Sequence, residues 1–128
     1  MQISRLGFWT FCILASLQNP VWAESWEATY YCRDFACTGK QPGNPAYGIT
    51  ASGRKATAGR TVAVNWLPFG TRLKIDGKLY AVEDRGAVSH FGSKNRPKKR
   101  VDIFMESHEE ALKFGRRTVE VRILRAER

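Results

Sequence analysis

Two carboxylates in the segment Tyr80–Phe104, YAVEDRGAVSHFGSKNRPKKRVDIF, have the type and placement for acid–base chemistry. Asp84 ends a run of β-forming residues at Glu83-Asp84-Arg85-Gly86, and Asp102 lies inside a second run, Arg100–Phe104. Cleaving a glycosidic bond needs such a pair: one carboxyl group to give and take a proton, and one to face developing positive charge. Simpler roles compete. Asp84 before Arg85-Gly86 suits a turn former, and Asp102 could pair with Arg100 or a loop lysine.

The elements that must position these residues are short. Glu27–Tyr31, Thr61–Val64, Thr71–Ile75, Lys78–Glu83, Arg100–Phe104 and Thr118–Leu124 read as strands. Asp76-Gly77 between two alternating runs signals a hairpin. Residues 38–60, punctuated by five glycines and Pro45, are too broken for a helix and suit a binding loop. One helix is expected, with Ser107 as cap, Glu110 completing a capping box, Ala111, Leu112 and Phe114 as apolar contacts, and Gly115 as stop. Six strands and one short helix near the C-terminus predict a mainly β fold. A chain this small supports a single core, and closing the sheet into a barrel removes its exposed edges.

The chain of 128 residues opens with Arg5, an apolar run from Leu6 to Leu17 and the sequence Pro20-Val21-Trp22-Ala23. That is the layout of a secretory signal peptide over 1–23, leaving one domain over 24–128 and predicting export to the periplasm, envelope or exterior. Loss of the leader leaves 20 basic and 12 acidic residues, a net charge of +8. Such a charge favours anionic partners, and export excludes nucleic acid among them. The run SKNRPKKR reads as a solvated, flexible loop with peripheral contact to anionic envelope polymers as its alternative role. Cys32 and Cys37 are a close pair, which in an oxidising compartment predicts a disulfide. Four residues separate them rather than two, and no further Cys or His lies nearby in sequence, which argues against a metal or redox pair. His90 and His108 read as surface residues. The sequence shows no phosphate loop, dinucleotide fingerprint or metal cluster, so no cofactor is expected.

Several segments, in order, resemble the 3D domain, a family named for three aspartates: Tyr31-Cys32…Cys37-Thr38-Gly39, Gly48–Gly53, Gly59–Val64, Leu67–Thr71, Glu83–Gly86, Val101–Phe104 and Ser107–Leu112 with Phe114-Gly115. LPFGT and DRG are also similar to the rare-lipoprotein-A group. The resemblance implies a double-psi β-barrel and the activity of a peptidoglycan lytic transglycosylase; a monomer is expected. That enzyme cleaves glycan strands between MurNAc and GlcNAc and leaves 1,6-anhydro-muramic ends. It implies Asp102 as acid/base and Asp84 as its partner, an ionised neighbour that raises the pKa of Asp102. Thr50, Ser52, Asn65 and Arg85 are then expected to contact the glycan, with Tyr30, Tyr31 or Trp66 stacking on sugar rings.

This chain departs from the pattern in three places. Asn65 stands where the family has its first aspartate. The spacing of 18 residues between Asp84 and Asp102 exceeds the family's, and the extra residues fall in the basic stretch Ser93–Arg100. Arg85 replaces a small residue. Asn65 and the extended basic loop favour the alternative of a glycan-binding or wall-loosening barrel, similar to the expansin-type barrels, that binds without turnover.

Overall fold

The computed structural model describes residues 23–126, so the expected leader lies outside the described residues apart from its last position. Six strands, β1 (Glu24–Tyr31), β2 (Thr61–Ala63), β3 (Thr71–Ile75), β4 (Lys78–Asp84), β5 (Arg100–Phe104) and β6 (Arg117–Ala126), close into a barrel in the order β1-β5-β2-β4-β3-β6. The mainly β, six-stranded barrel expected from the sequence is therefore the fold. Two pairs, β1/β5 and β2/β4, run parallel, and the rest are antiparallel.

Alternation along the strands fills the interior. Trp26 and Ala28, Val101 and Ile103, Leu73 and Ile75, Val119 and Val121 point inward with Val62 and Val82. The residues between them face out, and this outer row includes Thr29, Tyr31 and Asp102. The Asp76-Gly77 hairpin has positive φ at both positions, +46° and +84°, as a tight turn between twisted strands requires. Ile123 shares a face with Val119 and Val121 but stays 37% exposed.

Three short helices occur among the described residues where one was expected: α1 (Phe35–Thr38), α2 (Val88–Phe91) and α3 (His108–Phe114). The single-turn helices α1 and α2 lack the length for a periodic apolar face, so nothing in the pattern announces them. At the start of α3, Ser107 accepts a hydrogen bond from the Glu110 amide as expected. Ala111 is buried and Phe114 packs on Tyr30, whereas Leu112, expected to make apolar contacts, is 67% exposed.

The stretch expected as a solvated, flexible loop is exposed from Lys94 to Lys99 and carries several hydrogen bonds and ion pairs. Ser93 and Arg96 exchange backbone hydrogen bonds, and Gly92 bridges to Pro97. Lys98 donates to the Ser89 carbonyl, Lys99 pairs with Glu24, and Arg100 reaches both the His90 carbonyl and Glu27. At the tip, the Lys94 and Arg96 side chains are exposed. No helix among the described residues is long and apolar enough to cross a membrane.

Candidate active site

The two aspartates meet on the outer face of the barrel. Ala63 of β2 pairs with Asp102 of β5 on one side and Asp84 of β4 on the other. Simple alternation along β4 would turn Asp84 inward, since Val82 points into the core. The register between β2 and β4 shifts by one residue after Val62, so Ala63 faces Asp84 rather than Glu83. One inserted residue reverses the facing of everything beyond it. The bulge thus puts Asp84 on the same face as Asp102.

A cleft of about 390 Å³ opens there, lined by Tyr31, Cys37, Thr38, Lys40, Ala63, Asp84, Arg85, Gly86, Ala87, Phe91 and Asp102. A second hollow of about 230 Å³, lined by Glu27, Thr29, His90, Phe91, Arg100, Asp102 and Arg116, adjoins it at Asp102 and Phe91. Together they form a groove over the outer face.

The two carboxyl groups have unlike surroundings. Asp84 is a pure acceptor: Oδ2 takes the Tyr31 hydroxyl at 2.7 Å, and Oδ1 takes the amides of Ala51 and Arg85, both at 2.9 Å. Asp102 receives one hydrogen bond, from the Thr29 hydroxyl to Oδ1 at 3.0 Å. Withdrawal from water pushes its pKa up to about 6; the Thr29 bond works against that rise and the nearby Asp84 adds to it. The direction matches the expectation, but desolvation, not Asp84, is the main cause. One group thus keeps a proton into the mildly acidic range, beside one held by three donors.

The other expected glycan contacts have structural partners. Thr50 Oγ1 bonds Ser52 Oγ at 2.9 Å and the Arg54 carbonyl at 2.8 Å, and the Ser52 amide donates to the Glu83 carbonyl. Both lie in the glycine-rich loop whose Ala51 amide holds Asp84. Asn65 donates to the carbonyls of Gly86 and Gly92, at 2.9 and 2.8 Å, and accepts from the Gly86 amide at 2.8 Å. It clamps the turn after Asp84 to the end of α2. An aspartate could not make the two donations, which accounts for an amide at this position. Arg85 borders the cleft with its guanidinium donating to the Val64 carbonyl and stacked on Phe69 at 3.9 Å.

Of the three candidate stacking rings, Trp66 packs on Trp26 and donates to the Lys98 carbonyl. Tyr30 lies against Phe114, away from the aspartates. Tyr31 alone reaches the cleft, through its hydroxyl, while its ring packs edge-on against Phe104. Gly86 passes so close to Phe91 that a Cβ there would lie 2.4 Å from the ring.

The cysteines depart from expectation. Cys32 and Cys37 are free, with their sulfurs 2.7 Å apart, longer than the roughly 2.05 Å of a disulfide bond. The single turn of α1 lays the two side chains alongside each other without joining them. His108, expected at the surface, is half-buried and points Nδ1 at both sulfurs, 3.4 Å from Cys37 and 3.7 Å from Cys32. Burial, and then the contact with Cys37, pushes the Cys32 thiol up to about 12. A separation of 71 residues from Cys37 hid this neighbour from any reading by sequence spacing.

Sequence reasoning also missed Glu83. It is buried at 2% exposure, accepts from Thr61 Oγ1 at 2.8 Å, and pairs with Arg60 at 3.1 Å and Arg54 at 3.6 Å. This ion cluster anchors the glycine-rich loop to β4 one residue before Asp84.

The site stands on its geometry alone. No protein-family model and no curated protein matches the chain.

Proposed function

We propose that the chain is an exported peptidoglycan lytic transglycosylase of the 3D-domain type, with Asp102 as acid/base and Asp84 as its charged partner. The observation that carries this reading is the pairing of unlike carboxyl groups in one groove. Asp102 is desolvated with its pKa raised to about 6, and Asp84 is held by three donated hydrogen bonds.

In the proposed reaction the Asp102 carboxylic acid protonates the glycosidic oxygen as the bond to the anomeric carbon breaks. The positive charge spread over that carbon and the ring oxygen faces the Asp84 carboxylate. The Asp102 carboxylate then takes the proton of the sugar's own 6-hydroxyl as that oxygen closes on the anomeric carbon, so no water is consumed and Asp102 regains its acid form. Thr29 orients the carboxyl group, while Tyr31 and the Ala51 amide orient Asp84.

Digestion of purified sacculi with the purified protein, read by mass spectrometry, tests the proposal. Anhydro-muropeptides are expected from the native protein and at least about a hundredfold fewer from Asp102→Asn, the scale of losing general acid–base catalysis. Binding to sacculi without product would favour the non-catalytic barrel, and product persisting in Asp102→Asn would remove Asp102 from the mechanism.

A further inference from the structure

We infer that Cys32, Cys37 and His108 form a binding site for a thiophilic divalent cation of the zinc class. The site stands whether or not the neighbouring groove cleaves glycan. Three different segments supply it: the residue after β1, the turn of α1, and the first residue of α3. Their ligand atoms all lie within 4.8 Å of one another.

The donor set is two sulfurs and one imidazole nitrogen, which selects soft and borderline cations over magnesium or calcium. In a tetrahedral zinc site, sulfurs at about 2.3 Å and nitrogen at about 2.0 Å from the metal put sulfur and nitrogen about 3.5 Å apart. The observed separations are 3.4 and 3.7 Å. The two sulfurs would have to part from 2.7 Å to about 3.7 Å, a shift that falls on Cys37, which is half-buried on a single helical turn. Cys32 is fully buried and fixed.

The scaffold holds the three together without the metal. Arg33, next to Cys32, grips both oxygens of Glu106 at 2.9 and 2.8 Å, two residues before His108. The Met105 amide donates to the Tyr31 carbonyl at 2.7 Å, ending the β1/β5 ladder beside the site. Nearby carboxylates are engaged elsewhere: Glu106 by Arg33, and Asp34 by the Tyr47 hydroxyl. Three protein ligands therefore leave a fourth position open, as in sites where zinc meets an exchangeable ligand. Cys37 lines the cleft that holds Asp84 and Asp102, so the proposed site borders that cleft.

Titration of the reduced, metal-free protein with cobalt, followed by displacement with zinc, tests this. We expect saturation at one cobalt per chain with a near-ultraviolet thiolate-to-cobalt band, removed by one equivalent of zinc. Cys37→Ser should weaken the thiolate band by about half, and His108→Gln should lower affinity by about tenfold or more. Both positions are partly exposed, and thermal melts report whether each variant folds. The native protein supplies a control free of folding effects, since zinc must raise its Tm when reduced. Two titratable thiols with no cobalt band overturn the site. So does a chain whose cysteines are joined in a bond that resists reduction, the staple being then the function of the pair.

Discussion

At the scale of single residues, Asp102, the proposed acid/base, carries a cost in stability. Its folded pKa of about 6 lies above the ordinary 3.8. The folded state thus holds a proton that the unfolded chain has released between those values. Stability from this group is full below the unfolded pKa and is lost as pH rises towards and through 6. The loss amounts to roughly 2–3 kcal/mol by pH 7. Asp102→Asn keeps an acceptor for Thr29 and carries no charge, so it should be more stable than the native protein at pH 7 by up to that amount and inactive. Denaturant melts at pH 3 and pH 7 would show the difference, which should all but vanish at the lower pH, below the unfolded value of 3.8. Thr29→Val removes the hydrogen bond that favours the charged form, so the falling limb of the pH–rate profile should move to higher pH. A limb that stays in place would mean Asp102 is not the group seen in the profile.

Asn65 makes a complementary case. Asn65→Asp replaces two donations to the Gly86 and Gly92 carbonyls with oxygen facing oxygen. A loss of about 2–4 kcal/mol in urea unfolding is expected, the cost of partly buried acceptors left without donors. If Asn65→Asp is neutral or raises activity, the residue serves the reaction rather than the turn. Asparagine at this position was legible as a departure from a three-aspartate pattern. Its purpose was not, because both partner carbonyls belong to residues more than twenty positions away.

Among the elements, the β-formers and the Asp-Gly hairpin were readable because their signals are local: alternation over five to seven residues and a turn with positive φ. The bulge between β2 and β4 was not, since one extra residue changes facing without changing composition. Without it Asp84 and Asp102 would lie on opposite faces, so periodicity alone does not bring them together. The helix α2 was hidden for a like reason. It is one turn long, yet its Phe91 closes the cleft over Gly86. Gly86→Ala should cost about 1–3 kcal/mol through overpacking against that ring. The double variant with Phe91→Leu should recover much of the loss, and a coupling energy near zero in the double-mutant cycle would show that the ring and the turn do not meet.

For the whole molecule, the excess of basic residues was visible at once, but the fold decides which of them can act outward. Lys98, Lys99 and Arg100 are tied to α2 and β1, so most of the basic run holds the loop in place. Lys94 and Arg96 project from its tip. An anionic wall polymer is attracted to such exposed charges at a range where the attraction depends on salt. Replacing both with Gln should weaken adsorption to sacculi several-fold at low ionic strength. The gap should close near 1 M salt, where the screening length falls to about 3 Å. Lys99→Gln removes a charge of the same sign from the same run but breaks the Glu24 pair, so its effect should show in the melting curve more than in adsorption. Equal losses of adsorption from all three positions would mean that the barrel is drawn by its total charge, and that the loop has no surface of its own.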